Sequence, residues 1–180
     1  MFGESDFSDK LLDTNRLVEF EVGLMEILPH PTQIHQTILA ELSFRLGDFI
    51  RMTADKSRLI MAPFALKLWE DKFRAPDLMV MLAGHATRRH EQFWEKPDIV
   101  VEIVSPDDPK RDLETKRREY ALAGIPEYWL INPLDKVVLV LVLDGDRYVT
   151  HGDYREGDVA ESLLLTGFSA EVSEIFNQPM

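Results

Sequence analysis

Apolar and acidic residues alternate from Val18 to Ile27, reading Val-Glu-Phe-Glu-Val before Gly23 and Leu-Met-Glu-Ile after it. A period of two across a glycine predicts a β-hairpin whose acidic side chains share neighbouring faces. Pro29 and Pro31 end that pattern and the period changes. Ile34, Ile38, Leu42, Leu46 and Phe49 recur at helical spacing, which predicts a helix of roughly five turns from about Thr32. Arg58 to Trp69 has strand composition broken by Pro63, and Pro76 leads into a second strand, Asp77-Leu-Met-Val-Met-Leu. Ala83 to Lys96 is polar. Beyond Pro97 lies Ile99-Val-Val-Glu-Ile-Val, a β-branched run that ends at Ser105-Pro106 and belongs in the centre of a sheet.

Asp107 to Arg111 reads as a charged loop and Asp112 as an N-cap. Leu113 to Ala123 reads as a helix stopped by Gly124, with Pro126 just beyond. Glu127 to Asn132, Val137 to Leu143 and Arg147 to His151 form three strands separated by Asn132-Pro133 and Asp144-Gly145, and a last helical turn lies near Ser173 to Phe176. Strand, helix and strand from Ile99 to Ile131 make a crossover unit, which requires its two strands to be parallel. The pattern predicts an α/β (α+β) fold: a mixed β-sheet flanked by helices, with an N-terminal β-hairpin and antiparallel C-terminal strands. No repeat, low-complexity tract or flexible linker divides the chain, so residues 1–180 are expected to form one domain.

Composition narrows the chemistry. The chain has 180 residues with 20 Lys+Arg against 32 Asp+Glu, a formal charge of −12. That excludes a uniformly basic nucleic-acid coat. The absence of cysteine excludes disulfides, thiolate metal sites and a cysteine nucleophile, and fits a reducing compartment. Glu4, Asp6 and Asp9 stand where a secretory signal needs an apolar core, so a cytoplasmic location is expected. The longest apolar run, Val137 to Leu143, is too short for a membrane span, and no membrane partner is expected.

Two strand-like segments share a layout: Pro76-Asp77 opens one, and Pro97-Asp98 opens the next, with Glu102 inside its apolar run. An ionised, unpaired carboxylate in a central strand costs several kcal/mol, so Glu102 must be protonated, paired or metal-bound. If Asp77 and Glu102 lie on adjacent strands they converge on one point, which suits a hard divalent cation such as Mg²⁺ with oxygen ligands and several waters. Lys116, about a helical turn beyond the loop, is a candidate cation to act on water there.

These residues resemble a known family. Ala75-Pro-Asp-Leu-Met-Val, Pro97-Asp-Ile-Val-Val-Glu-Ile-Val-Ser-Pro, Arg111-Asp-Leu-Glu-Thr-Lys and Tyr120-Ala-Leu-Ala-Gly-Ile-Pro-Glu-Tyr-Trp-Leu-Ile-Asn-Pro are similar to segments of the putative restriction endonuclease family, within the PD-(D/E)XK nuclease superfamily. Upstream, Val18-Glu-Phe-Glu-Val-Gly-Leu-Met-Glu resembles its acidic hairpin and Pro31-Thr-Gln-Ile-His-Gln its helix opening, so the likeness runs over about residues 17 to 176. It implies a restriction-endonuclease-like fold and Mg²⁺-dependent hydrolysis of phosphodiesters, with Mn²⁺ as a substitute. Asp77 and Glu102 match the acidic metal ligands, and the Ile103 carbonyl is implied as a third. The superfamily's lysine position, two residues past the acid, holds Val104; Lys116 is then the migrated lysine, with Lys110 and Lys67 as other candidates. Glu19 and His35 match positions lining the site. The implied partner is nucleic acid, DNA before RNA, and a homodimer would place two sites for a double-strand cut.

Each residue also has a structural reading. Asp77 suits a cap on a backbone amide after proline, Glu102 an ion pair with an arginine such as Arg74, and Lys116 a solvated helix face beside Arg117 and Arg118. Glu19 and His35 suit ordinary strand and helix positions. Tyr128 and Trp129 fit core packing better than base stacking, as an alternative to a nucleotide platform that also includes Trp94. Arg88-Arg89-His90 and the Lys110-Arg111 and Lys116-Arg117-Arg118 clusters are the local cations available to phosphates. Two competing functions stand beside the nuclease: a catalytically degenerate relative acting as an oligomerising or partner-binding module, and, last, a glycosidase using two carboxylates.

Overall fold

The alternation around Gly23 forms the expected hairpin. β1 (Val18–Glu21) pairs antiparallel with β2 (Leu24–Ile27), and both central turn residues, Val22 at φ 43° and Gly23 at φ 80°, adopt the left-handed backbone that matches strand twist in a tight hairpin. The computed structural model describes residues 18–53 and 56–177. Helix α1 (Gln33–Met52) begins where Thr32 Oγ1 accepts the His35 amide at 3.3 Å. Its buried stripe is Ile38, Leu39, Leu42, Leu46 and Ile50. Ile34, expected in that stripe, is exposed.

The segment around Pro63 contributes to two sheets. β3 (Arg58–Met61), β4 (Ala65–Trp69), β5 (Lys72–Arg74), β6 (Leu78–Met81), β7 (Phe93–Glu95), β8 (Ile99–Ile103), β9 (Glu127–Asn132), β10 (Val137–Asp144) and β11 (Arg147–Tyr154) follow in order. One sheet has the order β2-β1-β5-β4-β7 and the other β11-β10-β9-β8-β6-β3. β5 and β7 escape the periodicity because three residues carry too little pattern to register. β12 (Val159–Glu161) and β13 (Ser169–Glu171), a two-stranded ribbon, escape it for the same reason.

β8 is central, as its β-branched composition requires. It pairs antiparallel with β6 and parallel with β9 through the crossover, while β9, β10 and β11 continue antiparallel. Between β8 and β9 the chain makes a π-helical turn, Arg111–Lys116, that runs on into α2 (Arg117–Leu122). Asp112 is therefore not an N-cap: it lies inside the helical segment with its side chain buried, because Lys116 one turn later supplies a stronger partner than a backbone amide. Gly124, at φ 73°, closes the helix: its amide donates to the Ala121 carbonyl and the Ile125 amide to that of Tyr120. α3 (Val172–Phe176) ends the described chain.

Period-two alternation gives the six-stranded sheet two dry faces. Leu78, Val80, Ile99, Val101 and Ile103 pack on α1, while Met79, Met81, Val100 and Val104 pack against Tyr120 and Ala121 of α2. Trp94, Tyr128 and Trp129 are all buried, so none offers a stacking platform for bases. Among the described residues no helix is long and apolar enough to cross a membrane.

Candidate active site

Leu78 stands opposite Val101 in the β6–β8 register, which puts Asp77, one residue before β6, across from Glu102. By strand parity both carboxylates belong to the face that α2 covers. They are 7% and 3% exposed, and burial at this level demands partners for each oxygen. Asp77 Oδ2 accepts the Ile103 amide at 2.7 Å, and its Oδ1 lies 3.3 Å from His35 Nε2. Glu102 Oε1 accepts the Tyr120 hydroxyl at 2.5 Å, and Oε2 pairs with Lys116 Nζ at 2.9 Å. The amide of Ile103 is thus the group on Asp77, and Ile103, the last residue of β8, lines the cleft.

Lys116 arrives from the helix rather than from the strand. The turn Arg111–Lys116 places its ammonium 3.1 Å from Asp112 Oδ1 and 3.5 Å from Glu19 Oε1 as well. Val104, at the position usual for the superfamily lysine, is packed in the core. Lys110 is exposed, and Lys67 lies in the other sheet within 3.9 Å of Glu95. Neither joins the cluster.

The hairpin supplies Glu19, whose neighbour across the strands is Glu26. Two carboxylates directly opposite repel unless a cation bridges them. Arg111 does so, with Nη2 at 2.5 Å from Glu19 Oε2 and a two-pronged contact to both Glu26 oxygens at 2.8 Å each. Arg74 Nη1 also donates to Glu19 at 2.8 Å and grips Glu119 through Nε and Nη2 at 2.7 Å each. Lys72 completes this chain between Glu21 and Glu119. Arg74 therefore pairs with Glu19, Glu21 and Glu119, not with Glu102: it projects from the edge sheet, and Lys116 already occupies the place beside Glu102.

A cleft of about 360 Å³ opens on these groups. Its walls include Asp77, Glu102, Asp112, Lys116, Arg111 and His35. Among the described residues, Lys116 and Arg111 are the two Lys/Arg side chains on that wall. His35 Nδ1 is buried without a hydrogen-bond partner. The Arg88-Arg89-His90 cluster lies beyond the far end of β6, where Arg89 donates to the carbonyls of Met81 and Leu82, four or more residues along the strand from Asp77. It belongs to that corner of the fold and not to the cleft.

Burial drives the Glu102 carboxyl well above its ordinary range. Lys116 opposes this, while the charges of Asp112 and Asp77 add to it. For Lys116 burial acts downward, but the surrounding carboxylates of Glu102, Glu19, Asp112 and Asp77 win and hold the ammonium charged. The Tyr120 hydroxyl is raised by burial and by Glu102, so it stays a proton donor. Burial also acts against the Glu19 charge, yet Lys116, Arg74 and Arg111 pull its carboxyl down to about 2. Since this folded value lies below the ordinary 4.5, Glu19 contributes stability that is complete above pH 4.5 and is lost as pH falls toward 2. Acid unfolding followed by circular dichroism is expected to show it: Glu19→Gln should lower stability at pH 7 and flatten the pH dependence between about 4.5 and 2. An unchanged slope would mean that the arginines do not hold Glu19 ionised.

The donor set fits a hard cation. The two strand carboxylates, Asp77 and Glu102, offer oxygen donors only. Among the described residues no three His, Cys, Asp or Glu side chains form a metal-holding group, so backbone carbonyl and water would complete the shell. Carboxylate oxygens with room for water suit a hard divalent cation.

Asp112, Tyr120, Arg74 and Arg111 were not singled out as site residues from sequence. The signal available for Asp112 and Tyr120 was their spacing of four from Lys116, which puts all three on one side of a helix. For the pairing of Arg74 and Arg111 no local signal exists, since their partners are 45 to 92 residues away; Arg111 reads from sequence as part of a basic cluster available to phosphates.

The family model described as Uma2, Putative restriction endonuclease, matches residues 6–173. A solved structure described as a putative nuclease belonging to DUF820 from Anabaena variabilis has 18% identity and a TM-score of 0.74, covering 94% of this chain and 96% of its own. At that identity the likeness is one of fold. No curated protein matches.

Proposed function

Because the chain belongs to the Uma2 family of putative restriction endonucleases, we propose that it is a Mg²⁺-dependent nuclease, in the first instance a DNA endonuclease. The observation that carries this reading is the convergence of Asp77 and Glu102 from adjacent strands with the Lys116 ammonium 2.9 Å from Glu102. Asp77, Glu102 and the Ile103 carbonyl would hold the cation. When bound, it polarises a phosphoryl oxygen and lowers the pKa of a water molecule.

The remaining work falls to the chain's own groups. Lys116, held protonated by its carboxylates, is a donor and not a base: it orients the attacking water and faces the negative charge that grows on the phosphoryl oxygens. In the reaction the water oxygen bonds to phosphorus, one ester P–O bond breaks, and the proton that the attacking water gives up to solvent is matched by the one that the departing oxygen takes from solvent. Asp112 and Glu19 fix the Lys116 ammonium from two further sides, and Tyr120 fixes the rotamer of Glu102. His35 steadies Asp77 from the first turn of α1. A homodimer related by a twofold axis would supply two cuts on opposite strands.

Mn²⁺, a paramagnetic stand-in for Mg²⁺, should bind the wild-type protein through the Asp77 and Glu102 carboxylates. Electron paramagnetic resonance of free Mn²⁺ measures the binding, and conversion of supercoiled plasmid to nicked or linear form measures turnover. Binding together with cleavage supports the nuclease. Binding without cleavage of DNA or RNA favours the degenerate relative that serves as a partner-binding module. Absence of both binding and cleavage would sink the proposal.

A further inference from the structure

Lys116 is enclosed by carboxylates and buried, so it has little reach toward the length of a polyanion. Arg111 is different. Its guanidinium is one-fifth exposed on the cleft wall and anchored from behind by the buried Glu19 through Nη2. Its outer fork, Nη1 and the second Nη2 hydrogen, points at Glu26, whose carboxylate is 59% exposed on the edge strand β2. Two parallel N–H donors aimed at two oxygens are the geometry by which arginine holds a carboxylate or a phosphate. An ion pair to so exposed a partner is weak and readily exchanged.

We propose that Arg111 is a substrate-phosphate contact of the cleft, and that Glu26 occupies its outer fork until a nucleic-acid phosphate replaces it. The anchor on Glu19 keeps the guanidinium in place when Glu26 leaves, so the exchange needs only a side-chain rotation of Glu26. In a chain of net charge −12 the acid also screens the cleft against unspecific anions. This inference rests on the nuclease reading and adds to it a binding residue and its competitor.

The test uses the full-length protein with a short fluorescein-labelled DNA duplex and its RNA counterpart. Binding is measured in EDTA over a range of salt, and cleavage with Mn²⁺. Arg111→Gln is expected to weaken binding about tenfold and to reduce the log–log salt slope by about one. Glu26→Gln is expected to tighten binding several-fold and lower KM, a gain that misfolding does not produce. In the double variant that gain should vanish; a general loss of negative charge would leave it intact. If the wild type binds and cleaves but Glu26→Gln gains nothing, or its gain survives without Arg111, the exchange is overturned and the nuclease stands. If the wild type neither binds nor cleaves either nucleic acid, the nuclease reading falls and the exchange with it.

Discussion

Lys116→Met is expected to lower stability at pH 7 by about 3–5 kcal/mol, the cost of leaving buried charge without its partner. Four carboxylates, Glu19, Asp77, Glu102 and Asp112, act on this ammonium, and methionine fills its volume but none of its charge. In the wild type the Lys116 value lies above its ordinary 10.5, so its stabilisation is complete below that pH and fades only in strong alkali. In the variant the sign reverses. The uncompensated carboxylates take up protons more readily when folded, so the variant should gain stability as pH falls toward 5 and lose it as pH rises. Urea unfolding at pH 5 and pH 8 measures this directly. Mg²⁺ should restore part of the loss at pH 8, because a cation between the same acids does the electrostatic work of the missing lysine. Cleavage should still drop by about 10²–10³, as the oriented donor is gone. A variant equally stable at both pH values would show that Lys116 is not the counter-charge of the site.

Asp77→Asn and Glu102→Gln should each abolish metal-dependent cleavage, by at least about 10³-fold, because each removes half of the anionic ligand set. Their effects on stability should differ. Burial, first, and then the charges of Asp112 and Asp77 oppose a charge on Glu102. A neutral amide of the same shape relieves that repulsion, accepts the Tyr120 hydroxyl, and leaves Lys116 paired with Asp112 and Glu19. Glu102→Gln is therefore expected to unfold at the same temperature as the wild type or a few degrees higher, a gain of the order of 1 kcal/mol. Asp77→Asn keeps an oxygen for the Ile103 amide but presents either donor or acceptor to His35, so it should be neutral or slightly destabilising. Calorimetry together with Mn²⁺ binding separates the two roles. Full activity in either variant would remove that residue from the site; a large loss of stability in Glu102→Gln would show the carboxylate to be structural.

The parts of this protein legible in sequence are those set by local periodicity. The hairpin across Gly23, the long helix from Thr32, the apolar β8 run and the glycine stop at Gly124 each declare themselves within a window of ten or twenty residues. The crossover between β8 and β9 follows from chain geometry, since parallel neighbours need a long connection. An acid inside an apolar strand was also readable, because the cost of burying its charge does not depend on the rest of the fold.

What the tertiary structure alone decided is which charges meet. Segments on either side of Pro63 both read as strand from sequence, yet one joins the six-stranded sheet and the other the sheet that carries the hairpin, since pairing depends on partners distant along the chain. Arg74 pairs with Glu19 and Glu119, and Arg111 bridges Glu19 and Glu26 across the hairpin strands. Asp112 turned inward instead of capping its helix, because Lys116 offered a buried charge to pair with. Periodicity places a side chain on a face, and it carries no information about what stands opposite. Electrostatic pairing is decided over a few ångströms in space between residues that can be 92 positions apart.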